Sequence, residues 1–213
     1  MHKTITRPSV TKTVGIYGGS FNPVHTGHLI VASYIAQWSE VDEVWLMLSP
    51  LNPFKAKDPE LIDAEAREEM LRIAVEGNDI LGICDEQLSM PVPSYTIDTL
   101  DALSARHPDT HFKCIIGSDS WKGFSGWKDY SRIISEYGVI IYPRPGYEVN
   151  PAELPEGVAL VPAPCVDISS TFVRKAVREG KDVSYFVPDD VADYIAANRL
   201  YKNNHANYDI TDK

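Results

Sequence analysis

The chain has 213 residues, 44% of them apolar and 10% aromatic, enough for one sizeable domain with its own core. A net charge of −10 excludes a broad nucleic-acid-binding surface, so a polyanion site must be a local pocket of Lys, Arg, His and backbone N–H groups. The polar Met1–Lys12 segment leads into no secretory apolar core, no run reaches membrane-spanning length, and Cys84, Cys114 and Cys165 form no CxxC pair, so a cytoplasmic protein without membrane contact is expected.

Residues 1–12 read as a leader, 13–203 as a single domain and 204–213 as a tail. From Thr13 onward strand and helix signals alternate. Val14–Tyr17 is a first strand, followed by a glycine-rich junction and a helix over Gly27–Trp38. Strand Glu43–Leu48, helix Ala64–Val75 and strand Ile80–Cys84 come next, then helix Ile97–Arg106 and strand Phe112–Ile116. Tyr130–Glu136 is predicted helical, Gly138–Tyr142 and Val158–Val161 extended, and the Pro-rich Asn150–Pro164 stretch largely irregular. Ser170–Arg178 has a serine start and Gly180 just past its end; Pro188–Asn198 places Pro188 as its first residue, with Val187, Val191, Tyr194 and Ile195 on one face. Continuous apolar strands alternating with helices predict an α/β domain, a Rossmann-like doubly wound parallel sheet, here with a small helical C-terminal lobe over residues 168–201. Ligands of such sheets bind beyond the carboxyl ends of the strands. The loops Gly18–Gly27, Ser49–Pro59, Gln87–Thr96, Gly117–Trp127 and Pro143–Gly146 are therefore where chemistry is expected.

The junction reads GIYGGSFNPVHTGHL, Gly15 to Leu29. It is neither a Walker A loop nor a GxGxxG fingerprint. Bare backbone and the positive end of a helix meet there, and His25 and His28, one turn apart, point the same way, as a nucleotide phosphate site needs. Gly27 between them permits close approach. The plainer reading is a glycine turn with structural histidines. A zinc site lacks further Cys/His ligands, so no protein-bound transition metal is expected. A second constellation is ISSTFVR, Ile168–Arg174: Ser169 or Ser170 caps a helix, the N–H groups of Ser170, Thr171 and Phe172 face outward, and Arg174 lies on the face of Ser170. Alone it reads as a capped helix with a solvated arginine; beside HTGH it reads as the other end of a triphosphate site.

GGSFNPVHTGHL followed by ISSTFVR is similar to the HxGH nucleotidyltransferase superfamily, and more narrowly resembles the bacterial nicotinate mononucleotide adenylyltransferases. Further matches are Asn52–Lys55 (NPFK), Ser94–Leu100 (SYTIDTL), Gly117–Ser120 (GSDS) with Trp127, Arg144–Gly146 (RPG) and Tyr185–Pro188 (YFVP), so that the resemblance runs from Val14 to about Tyr201. It implies adenylyl transfer from ATP to nicotinate mononucleotide, giving deamido-NAD and pyrophosphate, with Mg2+ arriving on ATP. His28, His25 and Arg174 are implied as catalytic. ATP is implied to contact Gly18, Gly19, Ser20 and Phe21, the two histidines, Gly117 and Asp119 near the ribose, and Ser169, Ser170 and Arg174 at the leaving phosphates. The mononucleotide falls to Gly19, Asn22, Lys55, Tyr95, Thr96, Trp127 and Arg144, with the N–H groups at Tyr95–Thr96 suited to a carboxylate and Trp127 either stacked on the pyridine or a core residue. The chain departs from the pattern at Phe54, where histidine is frequent, at Asn22, where aspartate is frequent, and at Lys128, where an aromatic commonly follows the tryptophan; the lysine alters ring recognition or adds attraction for a carboxylate. The rival readings are an adenylyltransferase preferring nicotinamide mononucleotide, which SYTIDTL disfavours, and a silent nucleotide-binding module, which two intact phosphate motifs disfavour. Homo-oligomer formation is left open.

Overall fold

The computed structural model describes residues 11–49, 60–91 and 94–202. In chain order the elements are β1 (Lys12–Gly19), α1 (Thr26–Trp38), β2 (Glu43–Leu48), α2 (Ala64–Val75), β3 (Leu81–Cys84), α3 (Thr96–Arg106), β4 (Thr110–Gly117), α4 (Ser118–Trp121), α5 (Tyr130–Arg132), β5 (Val139–Tyr142), β6 (Val158–Leu160), α6 (Ser170–Arg178) and α7 (Asp189–Ala197). The strands form one six-stranded sheet of order β3-β2-β1-β4-β5-β6, parallel at every neighbour pair. The chain winds outward from β1 in one direction and from β4 in the other. A crevice therefore opens between the carboxyl ends of these two central strands.

Strand alternation explains why the apolar runs were continuous. Val14, Ile16, Phe112, Cys114, Ile116, Val139 and Ile141 point to one face and meet Ile97, Leu100 and Leu103 of α3. Tyr17, Val44, Ile115, Ile140 and Tyr142 point to the other and meet Val31, Ala32 and Ile35 of α1. Both faces are covered, so both sets of alternating positions must be apolar. Leu46 and Leu48 continue the second face into a further cluster with Met70 and Leu71 of α2, Val173 and Val177 of α6 and Val191 and Ile195 of α7. That cluster docks the C-terminal helices onto the sheet edge, and Gly180, at φ +66°, supplies the left-handed residue that ends α6.

The predicted elements recur, with local differences. Lys12, read as leader, opens β1 and pairs with Thr110, and the Thr11 N–H donates to the Asp109 carbonyl. Tyr130–Glu136 is a single α turn followed by a π-helical turn over Ile133–Tyr137. Pro188 is the cap residue preceding α7 rather than its first residue, because its ψ of 147° is extended. The Gly117–Trp127 stretch, read as a loop, contains α4 and a 3₁₀ turn at Phe124–Gly126. Cys84 and Cys114 are buried, and burial pushes their thiols up to about 11 and about 12 respectively, as befits small core residues. Among the described residues no helix is long and apolar enough to cross a membrane.

Candidate active site

A cavity of about 640 Å³ occupies the crevice at the ends of β1 and β4. The two motifs, 140 residues apart in sequence, both reach it. Its described lining carries Lys128, Arg144 and Arg174 against one carboxylate, Asp119, so an acidic chain presents a locally cationic pocket.

β1 ends in Gly18–Gly19, and the chain turns sharply at Phe21, whose φ of +42° is left-handed. Phe21 is buried beneath the turn, with its ring 5.0 Å from that of His28 in an edge-on arrangement. His25 is the N-cap of α1. The His28 N–H donates to its Nδ1 at 3.3 Å, and the His25 N–H donates to Nδ1 of His28 at 3.2 Å. This is a capping box built from two imidazoles instead of Ser and Glu. The rings stack at 3.6 Å with 21° between their planes. An Nδ1 that accepts leaves the proton of a neutral ring on Nε2, so both rings are donors through Nε2. His25 is 4% exposed; burial, helped by the charge of Arg144, pulls its pKa down to about 4, so it is neutral near pH 7. A Cβ on Gly27 would stand 3.1 Å from the His25 ring, which is why a side chain between the histidines would crowd the stack.

Ser169, not Ser170, is the N-cap of α6, accepting the Phe172 N–H at 3.1 Å. The Ser170 hydroxyl donates to the Pro23 carbonyl at 2.8 Å and so ties α6 to the junction. Arg174 is not the solvated arginine its sequence setting suggested. It is 5% exposed, its Nε and Nη2 donate to one oxygen of Glu60 at 3.0 and 2.6 Å, and its Nη1 donates to the Asn22 carbonyl at 2.9 Å. Arg178 holds the other Glu60 oxygen at 2.6 Å. Asn22 is itself held, donating to the Glu60 carbonyl and accepting from Tyr201. Arg174 thus lines the cavity while bracing it.

At the β4 end, Gly117 caps α4, and Asp119 faces Arg144 at 3.8 Å. The Arg144 N–H donates to the Ser118 hydroxyl, fixing the Pro143–Gly146 loop over the cavity. Tyr95 is the N-cap of α3 and Thr96 its first residue, so the helix starts one residue before the predicted Ile97. Trp127 lines the cavity and packs on Phe124 with ring centroids 5.1 Å apart. Lys55 and Phe54 lie outside the described residues.

Sequence reasoning missed the residues that hold these pieces. Arg67 of α2 is 1% exposed and donates to the carbonyls of Ile62, Ser20 and Ser49. Gln87 receives the Ser49 hydroxyl and donates to Thr99, whose hydroxyl also meets the Tyr95 carbonyl. Tyr17 and Tyr142 join hydroxyls at 3.1 Å under the cavity floor, and burial pushes both phenols up. Glu60 gave no sequence signal at all, because an acid after a proline loop is unremarkable until Arg174 and Arg178 converge on it.

A doubly wound sheet with a histidine-bearing junction at its switch point, faced by a second helix start, is the architecture of a nucleotide-handling α/β domain of the nucleotidyltransferase class. Residues 16–176 match the cytidylyltransferase-like family model. A Bacteroides fragilis protein named "Probable nicotinate-nucleotide adenylyltransferase" is 44% identical over 83% of this chain and 87% of its own. Its Bacteroides thetaiotaomicron counterpart, of the same name, is 46% identical over 85% of this chain and 89% of its own. A solved Plasmodium falciparum nicotinic acid mononucleotide adenylyltransferase complexed with NaAD shares the fold, with a TM-score of 0.72 at 23% identity, covering 89% of this chain and 97% of that one. The chain belongs to the nicotinate-nucleotide adenylyltransferase family, within the cytidylyltransferase-like group.

Proposed function

We propose that the protein transfers the adenylyl group of ATP to nicotinate mononucleotide, releasing pyrophosphate and forming deamido-NAD. One observation carries this: a single cavity is lined both by the histidine junction with the start of α6 and by Tyr95, Thr96 and Trp127. The names of its relatives supply the substrate class. A 5′-phosphate oxygen of the mononucleotide forms a bond to the α-phosphorus of ATP. The bond from that phosphorus to the α,β-bridging oxygen breaks, and its electrons leave with pyrophosphate. The nucleophile is already anionic, so the site has to align two anions and spread charge over the transferring phosphoryl oxygens.

His28 is assigned the hydrogen bond to the transferring α-phosphoryl, and His25 the orientation of His28 with a second contact to the phosphates. Gly18, Gly19 and Ser20 offer backbone to the nucleotides. Ser169, Ser170 and the first N–H groups of α6 are assigned to the β- and γ-phosphates. Arg174 serves them too, on the condition that the phosphates share it with Glu60. Gly117 and Asp119 take the adenosine ribose, and Arg144 the mononucleotide phosphate. Lys55 is assigned the same substrate by resemblance alone.

Among the described residues no group of three or more His, Cys, Asp or Glu is placed to hold a metal ion. Magnesium fits this donor set as an ion carried by ATP oxygens and water, with Asp119 the one carboxylate in the described lining. When bound it would neutralise phosphate charge. A cytoplasmic location agrees with these substrates. Pyrophosphate release from ATP, measured with each mononucleotide in turn, tests the proposal: turnover with the acid form supports it, and a strong preference for the amide form replaces it with the nicotinamide reading.

A further inference from the structure

The end of the cavity at α3 holds a charge arrangement that the motifs do not explain. Lys128 follows Trp127 and lines the cavity together with Tyr95, Thr96 and Trp127. Its Nζ lies 2.8 Å from each oxygen of Asp98 and 4.9 Å from the centroid of the Tyr95 ring. Asp98, in the first turn of α3, does not itself line the cavity. The lysine thus lines the pocket while the carboxylate it pairs with does not.

Three consequences follow from that placement. An ammonium has three N–H donors, and the Asp98 oxygens engage at most two well, so one remains for an acceptor on the cavity side. The aspartate pins a flexible four-carbon chain that would otherwise wander in solvent, and the Tyr95 face adds a cation–π contact. Without the lysine, Asp98 would project its negative charge toward the same pocket end. Arg144 and Arg174, the other cations of the described lining, are drawn to Asp119 and Glu60 instead.

We propose that Lys128, held by Asp98 and Tyr95, is a specificity determinant that favours a pyridine ring bearing a carboxylate over one bearing a carboxamide. The proposal rests on the adenylyl-transfer reading above and adds to it a residue whose side chain discriminates by charge. The carboxylate gains a charge-assisted partner and loses the repulsion of Asp98, whereas the neutral amide gains neither. Lys128 is 43% exposed on its side chain, so the effect is modest and sensitive to salt.

The test compares kcat/KM for nicotinate and nicotinamide mononucleotide in the wild type, Lys128→Met and Lys128→Arg, at low and high ionic strength. Lys128→Met is expected to lower the acid-to-amide ratio roughly three- to tenfold, chiefly through KM for the acid, with the effect shrinking in high salt. Lys128→Arg is expected to restore most of the ratio, which a merely structural role would not require. An unchanged ratio in Lys128→Met, or loss that is equal for both substrates, overturns the assignment while wild-type turnover of the acid leaves the reaction standing. A wild type that adenylylates neither mononucleotide overturns the reaction itself, and this inference with it.

Discussion

The imidazoles of His25 and His28 lie 3.6 Å apart and hold each other, each Nδ1 accepting the other residue's backbone N–H. The pair is therefore one unit in which helix capping and ring orientation are the same set of bonds. Its members differ in burial, and that difference separates their roles. His25 is buried at the helix start and neutral, while His28 is half-buried with its ring in an edge-on contact with Phe21; both line the cavity.

Under the proposed assignment, His28→Ala removes a donor to the transferring phosphoryl group together with half of the cap. Loss of one such preorganised donor lowers kcat by roughly 10²–10³. Loss of the cap bond costs about 1 kcal/mol of stability, too little to unfold the domain. Pyrophosphate-release kinetics beside urea unfolding separate the two. A variant with near-normal kcat would remove His28 from the reaction.

His25 predicts a pH dependence of stability. Its pKa falls from 6.5 in the unfolded chain to about 4 in the folded one, with burial the main cause. Between those values the unfolded chain binds more protons, so stability declines as pH drops through 6.5 and stops declining on this account below about 4. The full contribution is on the order of 3 kcal/mol. His25→Asn keeps a capping acceptor but cannot titrate, so its urea midpoint should fall less than that of the wild type between pH 7 and pH 5. Parallel curves for the two proteins would contradict this.

What the sequence made legible was whatever local pattern controls. Glu43–Leu48, Ala64–Val75 and Ser170–Arg178 emerge with the predicted ends, because strand runs, helix periodicity and the serine cap are all local. HTGH and ISSTFVR were legible as motifs because each is a short contiguous run, and residues of both line one cavity. The bracing was not. Arg67 sits among Glu65, Glu68 and Glu69, as a solvated arginine does, and only the meeting of α2 with the carbonyls of Ser20 and Ser49 buries it. Tyr17 and Tyr142 find each other across 125 residues. The π turn at Ile133–Tyr137 keeps an ordinary helical composition, so its wider winding leaves no trace in the residue types.

Glu60 gathers Arg174 and Arg178, and the side chain of Arg174 is 6% exposed. Glu60→Gln keeps the shape but removes the charge that compensates a buried guanidinium. Glu60 is itself 38% exposed, so the expected loss is about 1–3 kcal/mol rather than the larger cost of a fully buried pair. Under the proposed assignment of Arg174 to the leaving phosphates, the same change relieves competition between Glu60 and ATP for the guanidinium. KM for ATP should therefore fall or hold while the urea midpoint drops. A rise in KM for ATP with unchanged stability would show that Glu60 orients Arg174 and does not compete for it.

Arg67 is the strongest candidate for a residue that supports the reaction without touching substrate. It is 1% exposed, and its Nη1 donates to the Ser20 carbonyl at 2.8 Å and the Ser49 carbonyl at 2.9 Å, joining the junction after β1 to the end of β2. Nε reaches the Ile62 carbonyl at 3.0 Å. Burial lowers its pKa from the usual arginine range without neutralising a group so basic. Arg67→Lys keeps a positive charge but replaces a planar fork with a point donor that cannot span these carbonyls. Each buried carbonyl left without a partner costs about 1–3 kcal/mol, so a loss of roughly 2–4 kcal/mol is expected. Because Ser20 lines the cavity, kcat/KM should also fall by roughly tenfold at a temperature where the variant is still folded. Urea unfolding and steady-state kinetics on the same sample check both. An unchanged midpoint would mean that the arginine's hydrogen bonds do not hold the junction, and an unchanged kcat/KM in a destabilised variant would confine Arg67 to the fold.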